Sequence, residues 1–377
     1  MENSDNLKLI YFLTKVKNLG NVRIKSILSN ITSIDENRIF NFDWLIKVEG
    51  INEIIAGNIL DAKKDFSLIV RDFNSIMEYS EKNGIKLISY LDEDYPLNLK
   101  YIYDAPVILY YKGNLIKNDA FSLSVVGTRY PSEYGINVCK KFIEELSANK
   151  IPIISGMARG IDSLAHKTTL ENNNITYAVL GCGVDVVYPP ENKKLYDEIV
   201  EKGAVISEFE IGTGPDKVNF PRRNRVISGI SIGTMIIETG IRGGSLITAE
   251  FALDQNKEVF AVPGYIYSKK SEGCNNLIKK GQAKLVNTVE DIFSELNYKL
   301  DGFLNKDIVN LKEGEKPAIE LSIFEQSILD VLSYAPRHID EINLLTGFSI
   351  SDCLVNLLSL EFKGLIKQLP GKYFIRI

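Results

Sequence analysis

The sequence predicts an α/β chain: a Rossmann-like, doubly wound, mostly parallel sheet, with a small helical domain before it and a winged helix after it. Apolar runs such as SLSVV, IPIIS and TYAVL are short and nearly uninterrupted, as strands covered on both faces require. Stretches of helical periodicity separate them, so strand and helix alternate from residue 122 to residue 286. The two ends of the chain lack that alternation.

Residues 1–75 read as short helices, with apolar residues at helical spacing in LKLIYFLTKV, VRIKSIL and EIIAGNILDA. Two turns, Asn18-Leu19-Gly20-Asn21 and Val48-Glu49-Gly50-Ile51, each precede a helix. That arrangement suits a SAM-like or helix-hairpin-helix domain presenting helix N-termini to phosphate. A plain helical bundle whose glycines are turns suits it as well.

Residues 76–306 are expected to form the extended Rossmann-like domain. It opens with the strand-like IKLISY and APVILYYKG. Strands are expected at 122–126, 151–155, 175–180, 204–207, 234–238, 258–262 and 284–286, with helices at 135–149, 161–172, 192–202, 245–255 and 276–280. The polar stretch DIVNLKEGEKP, residues 307–317, reads as a linker. Residues 318–377 then give three helices, the third at 349–360, and a hairpin around Pro370-Gly371, which is the pattern of a winged helix.

Composition narrows the function. The 377 residues are 45% hydrophobic and 25% charged, ordinary for a soluble protein of two or three domains. No membrane span or signal peptide is evident, so the cytoplasm is the expected location. The four cysteines form no CxxC pair and there are two histidines, which argues against a metal site, a disulfide framework or a His-based hydrolase. A net charge of −5 excludes a uniformly basic protein but not a local basic groove.

In a doubly wound sheet, ligands sit at the carboxyl ends of strands, facing the N-termini of the following helices. Four such ends here are small and polar: Gly127-Thr128-Arg129, Ser155-Gly156 followed by Arg159, Gly181-Cys182-Gly183, and Gly243-Gly244-Ser245. Glycine admits close backbone approach to an anion, and arginine offers a bidentate fork to phosphate. A GxGxxG fingerprint and a Walker A sequence are both missing, so no dinucleotide or ATP cofactor is expected. The most basic segment, Lys217 through Phe220, Arg222, Arg223 and Asn224 to Arg225, combines cations with an aromatic ring. Single-stranded nucleic acid calls for that combination, since phosphates need cations and an unstacked base needs a ring. A solvated charged helix face with Phe220 as a staple would read the same way.

Six segments, SVVGTRYPSEYG, SGMARGIDSLAH, GCGVDVVYPPEN, FPRRNRVISGIS, GGSLITAEFALDQNKEVFAVPG and GCNNLIKKGQA, together resemble the DNA-processing protein A (DprA, or Smf) family. The resemblance implies a non-enzymatic homodimer that binds single-stranded DNA during natural transformation and loads the RecA recombinase onto it. It also implies that Arg129, Lys217 and Phe220 belong to the DNA pocket, that Arg222 and Arg223 extend the surface, and that residues 274–283 contribute to dimerisation.

Several residues admit other readings. Arg159 and Asp162 suit an i, i+3 ion pair, and Asp162 with His166 suits a catalytic pair lacking a nucleophile. Cys182, flanked by glycines at a strand end, suits a nucleophile or, as well, a small residue in a tight turn. The run SISIGTMIIE is similar to the PGGxGTxxE loop of nucleotide phosphoribohydrolases of the lysine-decarboxylase-like family, with Glu238 as the catalytic candidate, although the paired glycines are absent. The third winged-helix helix carries Asp352 and no Lys or Arg, which favours contact with protein over entry into a DNA groove.

Overall fold

The computed structural model describes residues 2–31, 36–115, 121–300, 321–333, 337–363, 365–369 and 371–376. The predicted linker, 307–317, lies outside the described residues. The chain divides into two compact units, Met1–Asn297 and Tyr298–Ile377.

The first unit opens with six helices: α1 (Glu2–Lys15), α2 (Asn21–Ser29), α3 (Glu36–Ile39), α4 (Phe42–Leu45), α5 (Glu53–Ala62) and α6 (Phe66–Asn83). Both glycine turns noted in the sequence start helices. Gly20 caps α2 in extended backbone, and the Asn52 side chain caps α5 by accepting from Ile55 N–H at 3.0 Å. Arg23 ties the two turns together, donating to the carbonyls of Asn18 and Gly50, each at 3.1 Å. α6 runs through the boundary expected at residue 75, and Gly84 ends it in the left-handed conformation that glycine tolerates.

Strands β1 (Ile85–Ser89) and β2 (Ile108–Gly113) flank the short α7 (Leu97–Lys100). The alternating part follows as β3 (Leu123–Gly127), α8 (Glu133–Ala148), β4 (Ile153–Ser155), α9 (Ile161–Glu171), β5 (Thr176–Val179), α10 (Lys193–Lys202), β6 (Ala204–Ser207), α11 (Asn219–Ile230), β7 (Gly233–Ile237), α12 (Ser245–Asp254), β8 (Glu258–Ala261), α13 (Glu272–Lys279), β9 (Lys284–Leu285) and α14 (Val289–Leu300). The nine strands are ordered β1-β2-β6-β5-β4-β3-β7-β8-β9. From β6 to β9 all pairings are parallel, whereas β1–β2 and β2–β6 are antiparallel. β3, β4, β5, β6 and β7 are buried along nearly their whole length, which is why they read as continuous apolar runs.

In the second unit, α15 (Ile323–Val331), β10 (Arg337–His338), α16 (Ile339–Thr346), α17 (Ile350–Phe362), β11 (Ile366–Leu369) and β12 (Tyr373–Arg376) form a winged helix with sheet order β10-β12-β11. A capping box between Ser322 and Glu325 starts α15. Its core includes Ile328, Ile342, Leu357 and Phe374. No single helix among the described residues is long and apolar enough to cross a membrane.

Candidate nucleic-acid interface

The order β5-β4-β3-β7 places the four glycine-rich strand ends side by side, and the N-terminal halves of α11 and α12 close over them. Between them lies an open groove of about 540 Å³. Gly127, Thr128, Arg129, Lys217, Phe220, Arg223, Asn224, Gly243, Gly244 and Ser245 all line it, so residues spread over 119 positions of sequence (127 to 245) meet in one depression.

Arg129, Lys217 and Gly244 are exposed there, and Thr128, Phe220, Asn224 and Gly243 are half-buried. The Phe220 ring lies against Gly181, where a Cβ would come within 2.8 Å of Cδ1, and 5.4 Å from the Tyr188 ring, centroid to centroid. Gly181 is therefore a seat for the aromatic ring rather than an anion contact. Tyr188 carried no signal as a wall residue, since its partner is 32 residues away in sequence (188 to 220). Gly244 opens the first turn of α12 onto the groove, with nothing within 4 Å of where a Cβ would stand.

The amides of the first two loops are already occupied. Asp162, buried at the start of α9, accepts from Gly156 N–H at 3.2 Å and Ala158 N–H at 3.4 Å. Thr128 N–H donates to the Glu238 carbonyl at 2.8 Å. The Gly156 amide, one of those that could face phosphate, therefore donates to an internal carboxylate in this structure. Burial raises the Asp162 carboxyl to about 6, with the Arg223 guanidinium and these amides pulling it the other way.

Four further site residues sit differently from their sequence reading. Ser155 is fully buried, its hydroxyl donating to the Val125 carbonyl at 2.6 Å. Ser245 is buried too, donating to the Thr239 hydroxyl at 2.8 Å. Arg159 is exposed but pairs with Glu191 rather than with Asp162. Arg223 lies under the groove, donating to the carbonyl of Gly156 at 2.8 Å and to that of Val179. Burial lowers its guanidinium to about 10, which leaves it charged at neutral pH.

Within the basic segment, Arg225 is also buried, paired with Glu208 and with Asp104 at 3.1 Å. Arg222 remains exposed, its guanidinium 5.5 Å from the Phe209 ring centroid. Of the expected site cations, Arg129, Arg159, Lys217 and Arg222 are therefore open to solvent, while Arg223, with Arg225, anchors α11 from below. Sequence could not separate these two sets, since burial on a helix depends on which face meets the sheet.

The candidate catalytic groups are engaged elsewhere. His166 Nδ1 lies 2.6 Å from the Thr176 hydroxyl, which itself donates to the Ile153 carbonyl at 2.8 Å. The imidazole is therefore the neutral Nδ1–H tautomer, and burial lowers its pKa to about 3. Cys182 is buried, its thiol pushed up to about 11. Glu238 accepts from Ser132 N–H at 2.7 Å and from the Ser132 hydroxyl, at the N-terminus of α8. No cluster able to hold a metal ion occurs among the described residues.

Residues 86–297 match the family model of DNA recombination-mediator protein A, and residues 313–372 match that of the DprA winged helix domain. Protein Smf of Synechocystis is 30% identical, over 96% of this chain and 97% of its own length. The crystal structure of DNA processing protein A from Streptococcus pneumoniae superposes with a TM-score of 0.64 at 36% identity, covering 78% of this chain and 98% of that one. DNA processing protein A from Helicobacter pylori, described for its unique single-stranded DNA binding mode, superposes at 0.51 with 28% identity, over 57% of this chain and 96% of that one. By this coverage, and by the coincidence of its motifs in one groove, the chain belongs to the DNA-processing protein A (DprA/Smf) family.

Proposed function

We propose that the groove holds the backbone of single-stranded DNA and that the chain serves DNA recombination as a binding protein, not as an enzyme. One observation carries the reading: Arg129 and Lys217, from distant parts of the chain, stand exposed in the same groove as the half-exposed Phe220 ring. Cations for phosphate beside a ring for a base are what an unpaired strand requires. The N-terminus of α12, which opens on the groove at Gly244, adds the positive end of its dipole. The description of the Helicobacter relative as a single-stranded DNA binder supports the same reading.

On this reading the protein is a cytoplasmic homodimer that protects incoming single strands and loads the RecA recombinase onto them. The family description, a recombination mediator, supports that role. Dimerisation is assigned to the region of residues 274–283 on resemblance, and a sedimentation run at micromolar concentration tests it. The buried, neutral His166, engaged with Thr176, supports binding without chemistry.

A salt-dependent titration of a labelled single strand, with duplex and AMP as competitors, tests the site. Arg129→Ala and Lys217→Ala should each weaken binding by ~1.5 to 3 kcal/mol and flatten the salt dependence by roughly one counterion. Unchanged affinity in both variants would sink the site, and release of free adenine from AMP, lost in Glu238→Gln, would establish the nucleotide hydrolase in its place.

A further inference from the structure

β7 ends by sending successive residues to opposite sides. Thr239 and Gly240 line the groove, while Glu238 lines a second cavity of about 430 Å³ beside it, walled by Tyr134 and Tyr265. The loop from β8 to α13 joins the two, because the Lys269 carbonyl lies 3.4 Å from where a Cβ of Gly240 would stand. That loop carries an unusual load of exposed rings. Tyr265 is 70% exposed and Tyr267 79%, their centroids 5.4 Å apart. Exposed cations, Lys269 on this loop and Arg242 on the loop after β7, accompany them.

The floor of the cavity rejects phosphate and suits a base. Glu238 is 4% exposed and holds φ at +48°, a left-handed conformation that costs energy in a non-glycine residue and turns its carboxylate toward Ser132. Ser132 occupies one lone-pair site on each carboxylate oxygen. A carboxylate offers about four, so acceptor capacity remains for an amino group. The Tyr134 hydroxyl donates to the Pro263 carbonyl at 2.6 Å, which fixes that wall.

We propose that this cavity is a nucleobase pocket for the same single strand that occupies the neighbouring groove: Tyr265 stacks the base and Glu238 accepts from its exocyclic amino group. The inference rests on the groove reading for its ligand. A strand held by its phosphates across β4, β3 and β7 meets the β8 loop next, with its exposed Tyr265 and Tyr267 rings.

Two 20-residue strands separate the pocket from the groove: oligo(dC), and a strand of abasic sites with the same phosphates and no bases. Tyr265→Ala should weaken oligo(dC) about 10-fold, the effect of losing one stacked base, and leave the abasic strand within twofold. Tyr265→Phe, which keeps the ring, should bind oligo(dC) like the parent. Oligo(dC) affinity unchanged in Tyr265→Ala, or an equal loss on both strands, overturns the pocket. Lys217→Ala reads the groove independently, since it should weaken both strands; failure there removes the groove while the Tyr265 variants still decide the pocket.

Discussion

Arg223 and Asp162 converge beneath the groove on Gly156, where a Cβ would stand 2.7 Å from the guanidinium Nη2 and 2.8 Å from the carboxylate Oδ2. The pair props up the loop from inside. Arg223→Ala leaves Asp162 as an uncompensated buried charge and two carbonyls without their donor. It should lower stability by about 3 kcal/mol in urea unfolding. Arg129→Ala, at an exposed position, should stay within ~0.5 kcal/mol of the parent. Equal stability of the two variants would contradict the division of the arginines into props and contacts.

Gly156→Ala tests the same point from the backbone side. The added methyl enters space held by both ionic groups, so a loss of ~1 to 3 kcal/mol is expected, with weakened single-strand binding as the loop shifts. A variant as stable as the parent would show that the loop has room to give.

His166 sets an acid limit. Its folded pKa, about 3, lies below the ordinary value of 6.5, so the unfolded chain binds the proton more readily. Stability contributed by the neutral ring is present above pH 6.5 and is lost as pH falls toward 3. Asp162 has the opposite sign: with a folded carboxyl raised to about 6 from 3.8, the native state takes up the proton first and offsets part of that loss between those two values. His166→Asn should therefore show a shallower fall in urea midpoint between pH 7 and pH 4, and Asp162→Asn a steeper one.

In the winged helix, Glu325 accepts from Ser322 N–H at 2.7 Å, from Ser359 at 2.6 Å and from Lys363 at 2.7 Å. These donors, Lys363 foremost, hold its carboxyl down at about 2. Its contribution is present above the ordinary carboxylate range and lost as pH drops through about 2. Glu325→Gln should cost about 1 kcal/mol at pH 7, read from thermal unfolding of this unit, and the difference should vanish near pH 2.

α17 exposes Ile350, Leu354, Val355 and Leu358 and carries no Lys or Arg. An apolar recognition helix suits a protein partner and not a phosphate backbone. A chain ending at residue 317 should keep single-strand affinity within about threefold of the full chain by fluorescence anisotropy; a collapse of affinity would assign this unit to DNA.

The alternating core was legible because its strands are buried on both faces and so read as unbroken apolar runs; β6 falls where expected, at Ala204–Ser207. The short strand-end loops were legible as a group because glycines cluster there, and they line one groove. Their individual duties were not. Gly181 makes room for Phe220, Gly156 for Arg223, and the Gly156 amide donates to the carboxylate of Asp162. Such duties depend on neighbours tens of residues away, and local composition carries no trace of them. The pairing of β2 with β6 was invisible for the same reason, since 90 residues separate the end of one from the start of the other (113 to 204).

The helices that open the chain have no core to themselves. Phe12, Leu13, Ile27 and Ile59 share one apolar cluster with Ile85, Val107, Ile108 and Tyr110 of the sheet edge, and Tyr11 reaches Glu210 at 3.0 Å. Helices and sheet should therefore melt in a single cooperative transition by calorimetry, and a polypeptide begun at residue 76 should bare that edge and associate through it. What looks in sequence like a detachable module is a wall of the building behind it.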